Sequence, residues 1–183
     1  MKFYIIRHGE TDWNKQGLVQ GRIDKELNTT GIEQAEYVVG KFFIDKPIDF
    51  IASSPLKRAK ETLDIIVHNN NLTGNIHLLD AFTERDFGYF EGKHADIFLG
   101  CTDYSKIDGY EQDHILTKRV IDGLVELTKL DVNNVLLVCH SHVMKMILLS
   151  QFSDKFDDLY RLKNCAIIEM DYIDGEFKFV DIH

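Results

Sequence analysis

The chain has 183 residues and a formal charge of −9, enough for a single domain over residues 1–183 with a sizeable core but short for two. The acidic balance argues against nucleic acid or an anionic membrane as partner, since both draw basic surfaces, and no apolar run approaches the length of a membrane span. Cys101, Cys139 and Cys165 are odd in number and lack a CxxC spacing, which points to a reduced, cytoplasmic setting rather than a disulfide scaffold.

Phe3-Tyr4-Ile5-Ile6 reads as a buried strand that delivers Arg7, His8 and Gly9 to its C-terminal edge. Gly9 is expected to let the backbone turn tightly and approach a small anion. Thr30-Gly31-Ile32-Glu33 has the form of a capping box. The helix behind it should run to about Ile44 with Ile32, Ala35, Val39 and Phe42 on one face. Ile48 to Ala52 is a second strand, and Ser54-Pro55 has the form of N-cap and first helical residue. The following helix turns Leu56, Ala59, Leu63 and Ile66 inward and ends at Asn69-Asn70-Asn71.

Ile76 to Leu79 forms a short strand, and the segment from about 92 to 111 has no clear period and reads as an irregular lid. Leu116, Val120, Leu124 and Leu127 mark a helix from Gln112 to Leu130. Val135 to Cys139 is a strand buried on both faces, with His140-Ser141-His142 at its end and a helix from Val143 to Leu149. Ile168, Met170 and Tyr172 alternate with acids, and Asp174-Gly175 signals a hairpin into Phe177-Lys178-Phe179. Strands alternating with helices predict a three-layer α/β/α architecture with a mostly parallel sheet and antiparallel strands at one edge. Three strand ends then carry polar chemistry to one side of that sheet: Arg7-His8, Ser53-Ser54 leading to Arg58, and His140.

The chain resembles the histidine phosphatase superfamily, which includes the cofactor-dependent phosphoglycerate mutases. The resemblance rests on Arg7-His8-Gly9-Glu10-Thr11-Asp12-Trp13-Asn14, Gln20-Gly21-Arg22 and Leu27-Asn28-Thr29-Thr30-Gly31. It continues in Ser53-Ser54-Pro55-Leu56-Lys57-Arg58-Ala59, in Glu84-Arg85-Asp86-Phe87-Gly88 and in His140. It implies that His8 is a nucleophile forming a phosphohistidine, kept neutral beside the Arg7 cation. Arg7 and Arg58 would clamp the non-bridging oxygens, and His140 would donate to them. Asn14 and backbone N–H groups near Gly21 and Ser141 would complete the cradle. Glu84 would protonate the leaving alkoxide and then activate water. No cofactor and no metal are implied.

Arg22 and Asp24 read as loop-fixing ion pairs, and His68, His77, His94, His114 and His183 as surface residues. Two departures matter. Ser141-His142 stands where the family usually has glycine next, and His142 is expected to line the entrance and add charge below neutral pH. Between Arg85 and Arg119 there is no arginine, whereas the mutases carry a longer insertion with paired arginines. Ile97, Phe98, Leu99, Tyr104, Ile107 and Tyr110 make the lid apolar instead. The expectation is therefore a metal-independent phosphatase for a small-molecule phosphate ester, resembling the broad-specificity or α-ribazole phosphatases. A mutase and a non-catalytic phospho-ligand module are the alternatives, and the oligomeric state stays open.

Overall fold

The computed structural model describes residues 1–42, 47–157 and 160–183, without the side chains of residues 39–41. Its sheet has six strands: β1 (Lys2–Arg7), β2 (Phe50–Ser53), β3 (Ile76–Leu78), β4 (Asn134–Cys139), β5 (Ile167–Ile173) and β6 (Glu176–Ile182). They lie in the order β3-β2-β4-β1-β5-β6. The first four are mutually parallel, while β5 runs antiparallel to β1 and β6 antiparallel to β5. The hairpin turn forms where Asp174 and Gly175 both take positive φ, as a two-residue hairpin loop requires.

The period of two along the strands sorts the core into two layers. Phe3, Ile5, Val135, Leu137 and Cys139 face α5 (Asp113–Thr128) and α6 (Ser141–Gln151). Tyr4, Ile6, Leu136 and Val138 face α2 (Thr29–Phe42) and α3 (Lys57–Asn69). Leu63 and Ile66 of α3 are fully buried, each contributing about 2 kcal/mol by removal from water. Two short helices, α1 (Asp12–Lys15) and α4 (Ala95–Leu99), lie in the connections.

Several local expectations shift for identifiable reasons. Asn28, not Thr30, caps α2: its side-chain Oδ1 accepts from Gly31 N at 2.8 Å and its carbonyl from Ile32 N at 3.1 Å. Ile32, expected on the inward face, is 42% exposed. The expected end at Ile44 lies outside the described residues, as does the Val39 side chain. Ser54 and Pro55 precede α3 rather than opening it, and the N-cap position falls to Leu56, which has no capping side chain. Asp24 supplies the cap from a distance, accepting from Lys57 N at 2.8 Å. The lid is not wholly irregular, for it holds α4 and a short 3-10 turn at Tyr104–Lys106.

Register decides what meets at the top of the sheet. Arg7 pairs with Cys139 and Ser53 with Val138, so β1, β2 and β4 end at one level. The chain leaves β1 toward α2 on one face and β4 toward α6 on the other. A crevice between two such adjacent parallel strands is where open α/β sheets bind ligands.

Candidate active site

His8 follows β1 directly and is buried. Its Nδ1 lies 2.7 Å from the carbonyl of Gly9, an acceptor, so Nδ1 carries the proton and Nε2 the lone pair. Arg58 Nε donates to that Nε2 at 3.2 Å. Burial, then the Arg58 and Arg7 cations, push the His8 pKa well below the usual histidine value and keep the ring neutral. Gly9 N donates to Thr62 Oγ1, which ties the turn to α3. The glycine at position 9 serves a different purpose from the expected one. A Cβ there would stand 2.5 Å from the carbonyl of Gly31, so its bareness admits the start of α2 rather than an anion.

The first turn of α3 carries Arg58 into the interior, where its Nη1 and Nη2 donate to the carbonyls of Ile23 and Gly21. Burial lowers its pKa to about 10, which still leaves it a cation at neutral pH. Gly21 therefore meets the site through its carbonyl. It takes φ +54, and a Cβ there would stand 1.9 Å from Glu91 Oε1, so only glycine fits. Arg7 Nη1 donates to the carbonyl of Leu162, and its buried Nε has no hydrogen-bond partner among the described residues. Asn14 Oδ1 accepts from Thr11 N, Thr11 Oγ1 and Asn164 Nδ2, which leaves its amide N–H groups as the part that can serve the cleft.

His140 is fully buried, with its ring centre 5.2 Å from that of His8. Its Nε2 lies 2.7 Å from Ser54 Oγ, while Nδ1 has no partner among the described residues. Burial and the Arg58 cation hold its pKa well below the usual value. Glu84 is buried, with Oε1 accepting from Arg85 N at 2.9 Å and Oε2 from His142 N at 3.4 Å. The carboxylate thus sits at the N-terminus of α6. Arg119 holds this loop in place, donating to the carbonyls of Ala81, Thr83 and Glu84. Glu111 pairs with Arg119 through both carboxylate oxygens. Burial alone would raise its pKa, yet these hydrogen bonds hold it below the ordinary carboxylate value.

Arg7, His8, Asn14, Gly21, Arg58, Glu84 and Ser141 all line one cleft of about 620 Å³, and the His140 ring lies next to that of His8. The far end is walled by Phe87, Phe98, Leu99, Tyr104 and Tyr110. His142 packs edge-on against Phe87 at 4.9 Å, and burial followed by the Arg85 cation depresses its pKa. It therefore lines the cleft as a neutral ring, not as the expected source of charge. Arg85 is a residue that sequence reasoning passed over. It is 1% exposed, bonds Tyr110, the Glu111 carbonyl and Asp113, and lines the cleft beside Lys145 and Arg161. The body end of the cleft is thus less bare of cations than the lid sequence implied. Asn164, also missed, donates to the carbonyl of His8 at 3.0 Å. Arg85 stands inside the Glu84-Arg85-Asp86-Phe87-Gly88 motif with no role assigned to it, and Asn164 lies in none of the motifs.

Arg22 lies near Asp86 and Glu111, as loop ion pairs should, and the five remaining histidines are exposed. Among the described residues no cluster of three or more His, Cys, Asp or Glu side chains is arranged to hold a metal ion. Likewise no helix among them is long and apolar enough to cross a membrane.

Residues 3–183 match the model of the histidine phosphatase superfamily, branch 1. The chain belongs to that superfamily. It is 34% identical to the Bacillus subtilis "Uncharacterized phosphatase PhoE" over 97% of this chain and 91% of the relative. It is 28% identical to the "Putative phosphoserine phosphatase 2" of Hydrogenobacter thermophilus, over 96% of this chain and 91% of that one. Among solved structures, the Entamoeba histolytica phosphoserine phosphatase in complex with 3-phosphoglyceric acid superposes with a TM-score of 0.82 at 29% identity, covering 99% of this chain and 95% of the other. Phosphoglycerate mutase from Bacillus anthracis shares the fold at a TM-score of 0.88 and 21% identity, over 98% and 91% of the two chains.

Proposed function

We propose that this histidine phosphatase superfamily member is a phosphomonoesterase that hydrolyses a small-molecule phosphate ester without a metal ion, through a phosphohistidine on His8. The observation that carries the reading is the state of the His8 ring. With its Nδ1 proton held by Gly9, the Nε2 lone pair is left among Arg7, Arg58 and His140. The buried Arg7 Nε–H and His140 Nδ1, which have no hydrogen-bond partner among the described residues, accord with an anion taking those bonds.

In the first step Nε2 attacks phosphorus in line while the ester P–O bond breaks, and Glu84 gives its proton to the departing alkoxide. Arg7, Arg58, His140 and the Asn14 amide neutralise the equatorial oxygens, with the Arg58 Nε–H passing from His8 to a phosphoryl oxygen. Ser141 and the N-terminus of α6 add to the positive side of the cradle. In the second step ionised Glu84 takes a proton from water, the water oxygen attacks phosphorus, and the P–N bond breaks. Phosphate leaves, and His8 returns neutral.

Residues 1–183 act as one catalytic unit in this reading, with 92–111 as its lid, and the free thiols at Cys101, Cys139 and Cys165 accord with a cytoplasmic setting. The aromatic wall suits an organic body, while Arg85, Lys145 and Arg161 suit one that also bears an acid group. Phosphoserine and 3-phosphoglycerate, named for relatives, belong in the same substrate panel as aryl phosphates and α-ribazole phosphate. The test is phosphate release in EDTA by wild type and His8→Ala, with detection of acid-labile, base-stable phosphate on the protein. Equal rates for the two proteins would end the proposal. Isomerisation of 3-phosphoglycerate outrunning phosphate release would replace it with the mutase reading.

A further inference from the structure

We propose that Ser54 is a positioning residue that sets the tautomer of His140 and so makes His140 Nδ1 a hydrogen-bond donor to the phosphoryl group. The inference rests on the phosphatase reading for its purpose, but its geometry stands alone. Ser54 directly follows β2 and is fully buried. Its Oγ accepts from Leu56 N at 3.3 Å and lies 2.7 Å from His140 Nε2.

A hydroxyl has one proton to donate and two lone pairs. If His140 carried its proton on Nε2, Ser54 Oγ would accept from both Leu56 and His140. The hydroxyl proton would then have no acceptor among the described residues, inside a site with no exposed surface. Leaving a buried donor unmade costs about 1–3 kcal/mol, and with an anion in the cleft only the arrangement in which Ser54 donates to Nε2 satisfies both protons, the hydroxyl's on Nε2 and the ring's on the anion. A neutral imidazole then bears its proton on Nδ1, the ring atom that has no partner among the described residues. A phosphoryl group on His8, whose ring centre is 5.2 Å away, supplies the acceptor.

The strand register explains why this residue does the work. Ser53 pairs with Val138, which sets Ser54 beside His140 at matching strand ends, and Ser54 N donates to the Val138 carbonyl at 2.9 Å. The serine freed from capping α3 is therefore the one that holds the second histidine.

The experiment reads the imidazole nitrogens of 15N-labelled protein by two-bond proton–nitrogen correlation, with inorganic phosphate titrated as the probe. Wild type with phosphate bound should show His140 protonated at Nδ1 and bare at Nε2. Ser54→Ala should admit the Nε2-protonated form and weaken phosphate binding about tenfold, the loss of one donor to an anion. Ser54→Thr, which keeps the hydroxyl, should restore both. A phosphate-bound wild-type ring protonated at Nε2 overturns the proposal without any variant having to fold. An alanine variant that keeps the Nδ1 tautomer, or one that binds phosphate as tightly as wild type, overturns it too. Absence of phosphohistidine on His8 would instead sink the catalytic reading and leave the ring measurement standing.

Discussion

The two ends of the cleft are built by different physics. At the phosphate end, Arg7, His8, Ser54 and His140 sit at or one residue beyond the ends of three parallel strands, and paired backbone fixes their relative heights. At the body end, Phe87, Phe90, Phe98, Tyr104 and Tyr110 hold one another through ring contacts of 5.1–6.3 Å across short turns. The first end has little freedom to adapt, as a site for one invariant group requires. The second is a satellite cluster whose shape side-chain packing can change, as recognition of a variable body requires.

That contrast can be broken most directly at His8. His8→Ala should lower kcat by on the order of 10⁴-fold or more while leaving the lid intact, measured as phosphate release from a chromogenic ester. Glu84→Gln should cost on the order of 10²–10⁴-fold with alkyl phosphates and far less with aryl phosphates, whose leaving groups need no proton. An equal loss on both classes would remove Glu84 as the acid.

Acid should act on the three site histidines as a set. His8, His140 and His142 have folded pKa values well below 6.5, so above pH 6.5 neither folded nor unfolded chain protonates them. As pH falls, the unfolded chain binds protons first, and stability drops by up to about 1.4 kcal/mol per pH unit for each residue until the folded value is reached. Thermal unfolding followed from pH 7.5 to 5 should show this, and His142→Phe should flatten the slope. Smallest in effect, Phe98→Ala should raise KM for bulky aryl phosphates up to about tenfold through lost ring packing. It should leave inorganic phosphate binding near wild type, because among the described residues that ring packs on Phe87, Phe90, Tyr104, Tyr110 and His142 and not on His8 or His140. A large loss of phosphate affinity would show the two ends to be coupled.

Much of the phosphate end was legible in the chain because strand ends can be read locally. An apolar run followed by Arg7-His8, or by His140, places the side chain without further information. Helix starts were less legible: Ser54-Pro55 has the form of a cap, yet its hydroxyl is claimed by His140, a partner 86 positions away. Thr30 likewise has the form of a cap, but Asn28 reaches the same helix first.

From the sequence alone came the α/β order, the polar strand ends and the family they resemble, since these rest on short-range periodicity and contiguous motifs. Only the tertiary structure brought Arg85 into the cleft, made His142 a neutral packing ring, and joined Ser54 to His140. Burial and the meeting of distant segments set those outcomes, and neither is encoded in any local pattern of residues.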